Sequence, residues 1–476
     1  MKEFLVKRRR VFVLLTPAIL GAIFIILCLL GANHSATTTE GQTVFMTRFD
    51  FGQVWQIAGE QGEGPLYYWA AKIWAHFFGH TDYNIRVLSA LFGAIAIVFA
   101  FLWTKYKHGL MAAVIAASLM SVAPLFVHFG QSADSAAMIL ALAFAASYFL
   151  QLAIDQRHKI WWLLYALIMI MGLWTSGLFV LVLIAHCLYI FRSAGKKAFA
   201  RKAVWLSLLA IVVLGALHTI YYSRPLVMAE EADLMNSLSN AVLYMNGVAP
   251  TLVAVACIGL LAYGAYKYRL RLLGYILLVT WLGAVLLPWF DLTKVPFLAV
   301  IPMLLAGIII CKMVRQKKAM RWLAGITGII CVALCVCGLM SVFGHDDIDI
   351  NTGDTFVSRR IIGSIDDLNI GAKNAIITDS AEMYYQLATY TTEDNPVLFV
   401  GTSSDKAIEF DYAGRVDDFS GWRERHGEFW QVFALSEEEF ELPSYEGWRV
   451  SQTSGFLPNE ASYGYQLVKF EKEPTN

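Results

Sequence analysis

The sequence predicts a polytopic α-helical membrane protein that carries a water-soluble α/β domain at its C-terminal end. Three observations predict it. Of 476 residues, 58% are hydrophobic and only 16% charged, where an ordinary soluble domain is about a quarter charged. Apolar runs long enough to cross a bilayer recur from the N-terminus to residue 344. The net charge of zero hides a split: residues 345–476 hold 25 acids and 10 bases, and residues 1–344 hold 12 acids and 27 bases. A division that sharp implies two parts in two environments, 1–344 in the membrane and 345–476 in water.

The bases sit in short clusters between apolar runs, which argues against nucleic-acid binding. The seven cysteines, Cys28, Cys187, Cys257, Cys311, Cys331, Cys335 and Cys337, all lie in apolar segments, so no disulfide framework is expected. Cys331, Cys335 and Cys337 are read as small packing residues of a helix rather than as a metal cluster.

About eleven spans are read: Val11–Gly31, Ile85–Trp103, Gly109–His128, Ser135–Ile154, Ile160–Trp174, Ser176–Phe191, Ala203–Tyr222, Ala241–Tyr266, Leu272–Phe290, Val295–Cys311 and Trp322–Phe343. The fifth and sixth form one run broken near Thr175–Gly177, read as a tight hairpin. Leu66–Phe78 is apolar but too short to cross and is expected in the interface. Threading the spans from a cytoplasmic N-terminus puts 22 of the 27 bases inside, leaving Arg48, Lys72, Arg86, Arg224 and Lys294 outside. That is the positive-inside pattern, and the odd count puts 345–476 outside. A multi-pass cell-membrane protein follows, with an uncleaved first span.

Outside the membrane lie a first loop, about residues 32–84, and the C-terminal domain. Loops of that length are usually functional. In the C-terminal domain Ala375–Thr378 and Pro396–Val400 read as strands around a helix at Ser380–Tyr390, followed by strands at Phe429–Leu435, Trp448–Gln452 and Tyr463–Phe470. The acidic run Glu437–Glu439 reads as a solvated face.

In the first loop the chain resembles a known family. Gly64-Pro65-Leu66-Tyr67-Tyr68-Trp69, then Trp74, Phe78-Gly79 and the helix start Ile85-Arg86-Val87-Leu88-Ser89-Ala90-Leu91-Phe92-Gly93, are similar to protein O-mannosyltransferases and aminoarabinose transferases. The likeness continues at Ala123-Pro124 and Gln131 and returns at Lys294–Pro302. The family's early Asp-Glu pair is matched by Thr39-Glu40, its His-Pro-Pro by Glu63-Gly64-Pro65, and its Glu-Ala-Arg by Ser132-Ala133-Asp134. The resemblance implies a C-type glycosyltransferase fold. It further implies transfer of a sugar from a polyprenyl phosphate or diphosphate to a hydroxyl of a protein, lipid or glycan at the outer face. An acidic residue of the first loop would be the general base.

Such a transfer needs a base, positive charge for the leaving phosphate and a groove at membrane level. The carboxylate candidates are Glu40, Asp50, Glu63 and Asp134, with Glu40 favoured and Glu63 assigned to substrate binding. Arg48 is near enough in sequence to pair with Asp50. Asp134 has a competing reading as a helix cap. Arg86, Arg224 and Lys294 lie beside span ends, at the depth of a lipid phosphate, where an arginine fork binds two oxygens; interfacial snorkelling explains them equally. Tyr67 and Tyr68 could stack on a sugar or belong to an aromatic belt. No cofactor is fixed by the residues. A divalent metal is compatible with the chemistry, and its ligands are unknown, His128 being the outer-end histidine nearest the right place. Two other classes compete: a transporter or flippase of a lipid-linked intermediate, and a non-catalytic envelope assembly protein. A transporter predicts internal repeats and a polar path across the bilayer, and neither is visible in the sequence.

Overall fold

The computed structural model describes residues 2–32, 36–60, 63–156, 158–194, 202–215, 261, 263–286, 296–344, 376–389, 397–400, 408, 415–416, 418–435, 442–456 and 464–473. Most of the span read at Ala241–Tyr266 lies outside them, as do Arg224 and Lys294. Helices dominate up to residue 344. They are α1 (Lys2–Leu30), α2 (Thr38–Met46), α3 (Phe51–Glu60), α4 (Pro65–Phe78), α5 (Asp82–His108), α6 (Leu110–Ser121), α7 (Pro124–Gln131), α8 (Ala136–Gln156), α9 (Lys159–Thr175) and α10 (Phe179–Ala194). After these come α11 (Lys202–Ala210), which runs into a π-helical turn at Ile211–Gly215, α12 (Arg271–Leu286), α13 (Pro296–Val314) and α14 (Lys318–Gly344). Among the described residues four helices are long and apolar enough to cross a membrane, and one bent pair would make a fifth. Shorter apolar helices accompany them, α9 and α10 among them. The chain is thus a polytopic helical membrane protein.

Two elements depart from the expected spans in an informative way. The run read as a continuous span at Gly109–His128 is α6 and α7, bent by 60° at Val122-Ala123. Pro124 is the cause. It opens α7 at a position where its missing N–H is no loss, and it forces Ala123 into extended backbone (φ −68°, ψ 123°). The apolar run at 160–191 is broken, as expected, between Thr175 and Phe179.

The chain divides into two compact units. The first comprises Met1–Ala32, Ala58–Tyr67 and Arg86–Gly344. Its core is aliphatic and aromatic, with close approaches where side chains are small. Phe24 of α1 stacks on Phe126 of α7 at 4.4 Å, and a Cβ on Gly93 or Gly130 would run into that Phe24 ring. Gly307 of α13 lies against the backbone of Ala116 in α6. Small residues let membrane helices touch backbone to backbone where lipid offers no hydrophobic drive.

The second unit comprises Asn33–Ile57, Tyr68–Ile85 and His345–Asn476. It holds β1 (Ile376–Thr378), α15 (Ala381–Ala388), β2 (Val397–Val400), β3 (Arg415–Val416), α16 (Phe419–Arg425), β4 (Glu428–Leu435), β5 (Trp448–Phe456) and β6 (Gly464–Lys472). These strands form one mixed sheet in the order β3-β2-β1-β4-β6-β5. β3, β2, β1 and β4 run parallel, with Ile377 opposite both Leu398 and Gln431, and β4-β6-β5 are antiparallel. Ser380 caps α15, its hydroxyl accepting from the Met383 amide at 3.4 Å. Ile377, Trp422, Phe429, Phe433, Val468 and Phe470 form the core of the sheet. Within this unit α2 of the first loop packs on α15. Phe45 meets the rings of Tyr384 and Tyr385, each at 5.5 Å. Gly41 lies so close that a Cβ would come within 2.6 Å of the Tyr385 carbonyl. The Gln386 amide donates to the Thr38 hydroxyl at 2.9 Å.

Candidate active site

Tyr67, Arg86 and Ser89, three of the residues that carry the family resemblance, meet in the first unit with Asp134. Tyr67, in the first turn of α4, is 1% exposed, and its hydroxyl lies 2.9 Å from that of Ser89 on α5. Ser89 in turn donates to the carbonyl of Asp134 at 3.3 Å. Arg86 stands one turn before Ser89, so both side chains leave α5 on the same face. It is fully buried and donates from Nη1 to the carbonyl of Ala32, just past α1, at 2.7 Å. A buried guanidinium needs such partners, because leaving a charge unpaired in a dry interior is costly. The Arg-x-x-Ser pair on α5 thus fastens the end of α1, the start of α4 and the 132–135 segment to one another.

Asp134 has a second duty. Its Oδ1 accepts from the backbone N–H of Ala136 at 2.8 Å and so caps the start of α8. Gly64, just before α4, lies against the Trp174 carbonyl at the end of α9, and any side chain there would collide with it. The glycine of the Glu63-Gly64-Pro65 run is therefore set by a close backbone approach. Glu63 beside it is half-buried.

The other carboxylates lie in the second unit. Glu40 is 1% exposed. It forms a reciprocal capping box with Thr37: the Thr37 amide donates to Glu40 Oε2 at 3.0 Å, and the Glu40 amide donates to Thr37 Oγ1 at 3.1 Å. Asp50 is exposed and caps α3, accepting from the Gln53 amide at 2.8 Å while its own amide donates to Gln53 Oε1 at 3.1 Å. Arg48, expected beside Asp50, turns instead to the C-terminal end of α15, where Nη2 donates to the Ala388 carbonyl at 2.6 Å. The end of a helix attracts a cation through its unsatisfied carbonyls, which explains the choice. Tyr68 is buried, and Trp69 stacks on Trp55 with centroids 5.6 Å apart while its indole donates to the Phe51 carbonyl at 3.1 Å.

Sequence reasoning named Arg86 and Tyr67 separately and did not assign a role to Ser89, which joins Tyr67 to the 132–135 segment. The one-turn spacing of Arg86 and Ser89 was the available signal. A further polar set lies within the membrane helices. Gln151 of α8 donates to Asp155 and accepts from the Tyr189 hydroxyl, both at 2.7 Å, and Ser147 lies 3.1 Å from His186 Nε2. From Ser147 to Asp155 this set covers about 12 Å of helix, well short of the ~30 Å apolar core of a bilayer. Among the described residues no three His, Cys, Asp or Glu side chains are grouped to hold a metal ion.

The family model for dolichyl-phosphate-mannose-protein mannosyltransferases matches residues 62–222, the stretch that contains Tyr67, Arg86, Ser89 and Asp134. Two crystal structures of ArnT from Cupriavidus metallidurans share the fold. The apo form aligns with a TM-score of 0.57 over 87% of this chain and 92% of that one, at 12% identity. The form bound to undecaprenyl phosphate aligns with a TM-score of 0.61 over 96% and 98%, also at 12% identity. Over residues 62–222 the chain is similar to the mannosyltransferase family, and it shares the fold of the ArnT structures along most of its length. No curated protein sequence matches it.

Proposed function

We propose that this protein is a membrane glycosyltransferase that moves a sugar from a polyprenyl-phosphate-linked donor to an acceptor hydroxyl at the outer membrane face, with Glu40 as general base. The observation that carries the reading is the coincidence of the family match with the hydrogen-bonded cluster of Tyr67, Arg86, Ser89 and Asp134. The residues most like the family are those that hold one end of the helical unit in a fixed geometry. The structure of a fold relative bound to undecaprenyl phosphate supports the donor class.

In the proposed step the acceptor oxygen attacks the anomeric carbon and its proton passes to a first-loop carboxylate. The bond from that carbon to the phosphate oxygen breaks, and the polyprenyl phosphate leaves with the electron pair. Arg86, Arg224 and Lys294 are assigned to the leaving phosphate. Glu63, Tyr67 and Tyr68 are assigned to substrate positioning, and Asp50 and Asp134 are the reserve carboxylates. Glu40 is favoured over Asp50 because it is withdrawn from solvent where Asp50 faces it and because it stands where the family's early acidic pair is matched. The acceptor is a protein, lipid or glycan hydroxyl. A transporter is the less suitable reading, since among the described residues the polar set on α8 and α10 covers only about 12 Å of helix.

The test is Glu40→Gln in the full-length protein, assayed with a panel of radiolabelled polyprenyl-phosphate sugars. Glutamine at this position can still close the capping box with Thr37, so the variant removes charge and keeps the local fold. Donor binding retained with sugar transfer lost, by about 10²-fold or more, is the expected result. Full transfer would move the role to Asp50 or remove it from the first loop.

A further inference from the structure

The second unit carries a cleft of about 820 Å³ lined by Thr47, Arg48, Phe51, Lys72, Ile73, His76, Phe77 and His80. That volume lies within the range of small-molecule sites, roughly 300–1,000 Å³. Two of the few bases expected outside the membrane, Arg48 and Lys72, converge here with two histidines. Lys72 and His76 stand four residues apart on α4 and so share one face, and His80 follows just past its end. No carboxylate lines the cleft. Among the described residues neither cation is paired with one: Lys72 donates to the Thr47 carbonyl at 3.2 Å, and Arg48 to that of Ala388.

The neighbouring face of the same helix is apolar and open. Ile73 is 52% exposed, Phe77 73% and Phe78 55%. Three large exposed hydrophobic side chains next to an unneutralised basic cluster describe a surface for a ligand with an anionic head and an apolar tail. A soluble anion would leave the apolar edge unused, and a neutral lipid would leave the cations unmatched. His80 supports the charge argument. Burial first, then Arg48, Lys72 and His76, hold its pKa below the ordinary histidine value, which reports uncompensated positive charge.

We propose that this cleft is a docking site for the phosphate of an anionic glycerophospholipid, whose acyl chains lie along Ile73 and Phe77. The phosphate accepts from Lys72 and His76 at the head of the cleft, and the C-terminal half of α4 becomes a lipid-reading surface. Bound lipid would fix α4 against α3 through the Phe51 side chain, over which Lys72 Nζ already lies at 5.7 Å.

The experiment is native mass spectrometry of the full-length protein in detergent, offered equal amounts of phosphatidylglycerol and phosphatidylcholine. Preferential retention of phosphatidylglycerol is expected. The preference should fall about fivefold for each full charge removed, so Lys72→Gln should approach indifference. The cytoplasm-assigned Arg315→Gln should not change it. Phe77→Ser, which leaves every cation in place, should weaken retention of both lipids and decides the matter should the Lys72 variant fail to fold. Unchanged preference in Lys72→Gln would overturn the proposal. So would displacement of the lipid by glycerol phosphate at equal concentration, which would make this a soluble-anion site. Displacement by stoichiometric undecaprenyl phosphate would overturn it too, by giving the cleft to the donor. None of these readings depends on sugar transfer.

Discussion

Tyr67 and Ser89 are joined hydroxyl to hydroxyl at 2.9 Å although α4 and α5 are separated by a turn, and both side chains are buried. Removing either oxygen deletes this buried contact, at a cost of about 0.5–1.5 kcal/mol, while Ser89 keeps its bond to the Asp134 carbonyl. Tyr67→Phe and Ser89→Ala should each lower the thermal midpoint in detergent. The double variant should lose less than the two losses added, because the shared contact is already gone after the first substitution. Strict additivity would mean that the contact contributes nothing.

Arg86 is fully buried and holds the Ala32 carbonyl at 2.7 Å. Arg86→Ala should therefore destabilise, by about 1–3 kcal/mol for the carbonyl left without this donor, and Arg86→Lys less, since it keeps charge but loses the fork. If the guanidinium also serves the donor phosphate, Arg86→Lys should weaken donor binding more than Arg315→Ala does. The measurement is donor affinity alongside the unfolding midpoint. Equal affinities in the two variants would leave Arg86 a purely structural residue.

The orientation assigned from the bases puts residues 345–476 outside the cell membrane. A Ser403→Cys variant should react with a membrane-impermeant thiol reagent in intact cells. Reaction only after permeabilisation would invert the assignment and with it the outer-face chemistry.

His80 gives the pH dependence. Its folded pKa is lowered by burial and by Arg48, Lys72 and His76. The unfolded chain therefore binds a proton first as pH falls through about 6.5, and stability declines from there down to the lowered folded value. Above that window the histidine is neutral in both states and contributes nothing. His80→Gln should flatten the fall in unfolding midpoint as pH drops below about 6.5. It will also lose the 2.7 Å contact of His80 Nδ1 with the Thr47 hydroxyl, so the diagnostic is the slope with pH rather than the midpoint at neutrality. An unchanged slope would show that the proton goes elsewhere.

Much of this was legible in the sequence for physical reasons. Length and continuity of apolar runs report membrane helices directly, and Ser380 marked the start of α15 because a serine before a helix has one strong use. The early glycine of the family motif was legible as a motif, but its cause, the Trp174 carbonyl, comes from a helix 110 residues away. The bend at Ala123 was hidden by an unbroken apolar run, although Pro124 was its visible agent. The cleft was invisible. Arg48 and Lys72 lie on either side of α3 with no spacing rule to join them, and only the 72, 76 and 80 interval hinted at a common face. Arg86 beside a span end gave no sign of whether it faced lipid, water or protein, and Glu40 gave none of its burial.

The broken α6–α7 pair has a consequence for the lipid around it. With 12 residues, α6 rises only ~18 Å against an apolar bilayer core of ~30 Å. The chain then turns by 60° and carries Gln131 and Ser132 forward. Hydrophobic mismatch of that size is met by thinning of the bilayer or by tilt. Even with the ~6 Å that α7 adds along the same axis, the apolar layer along this flank should be several ångströms thinner than beside the straight spans.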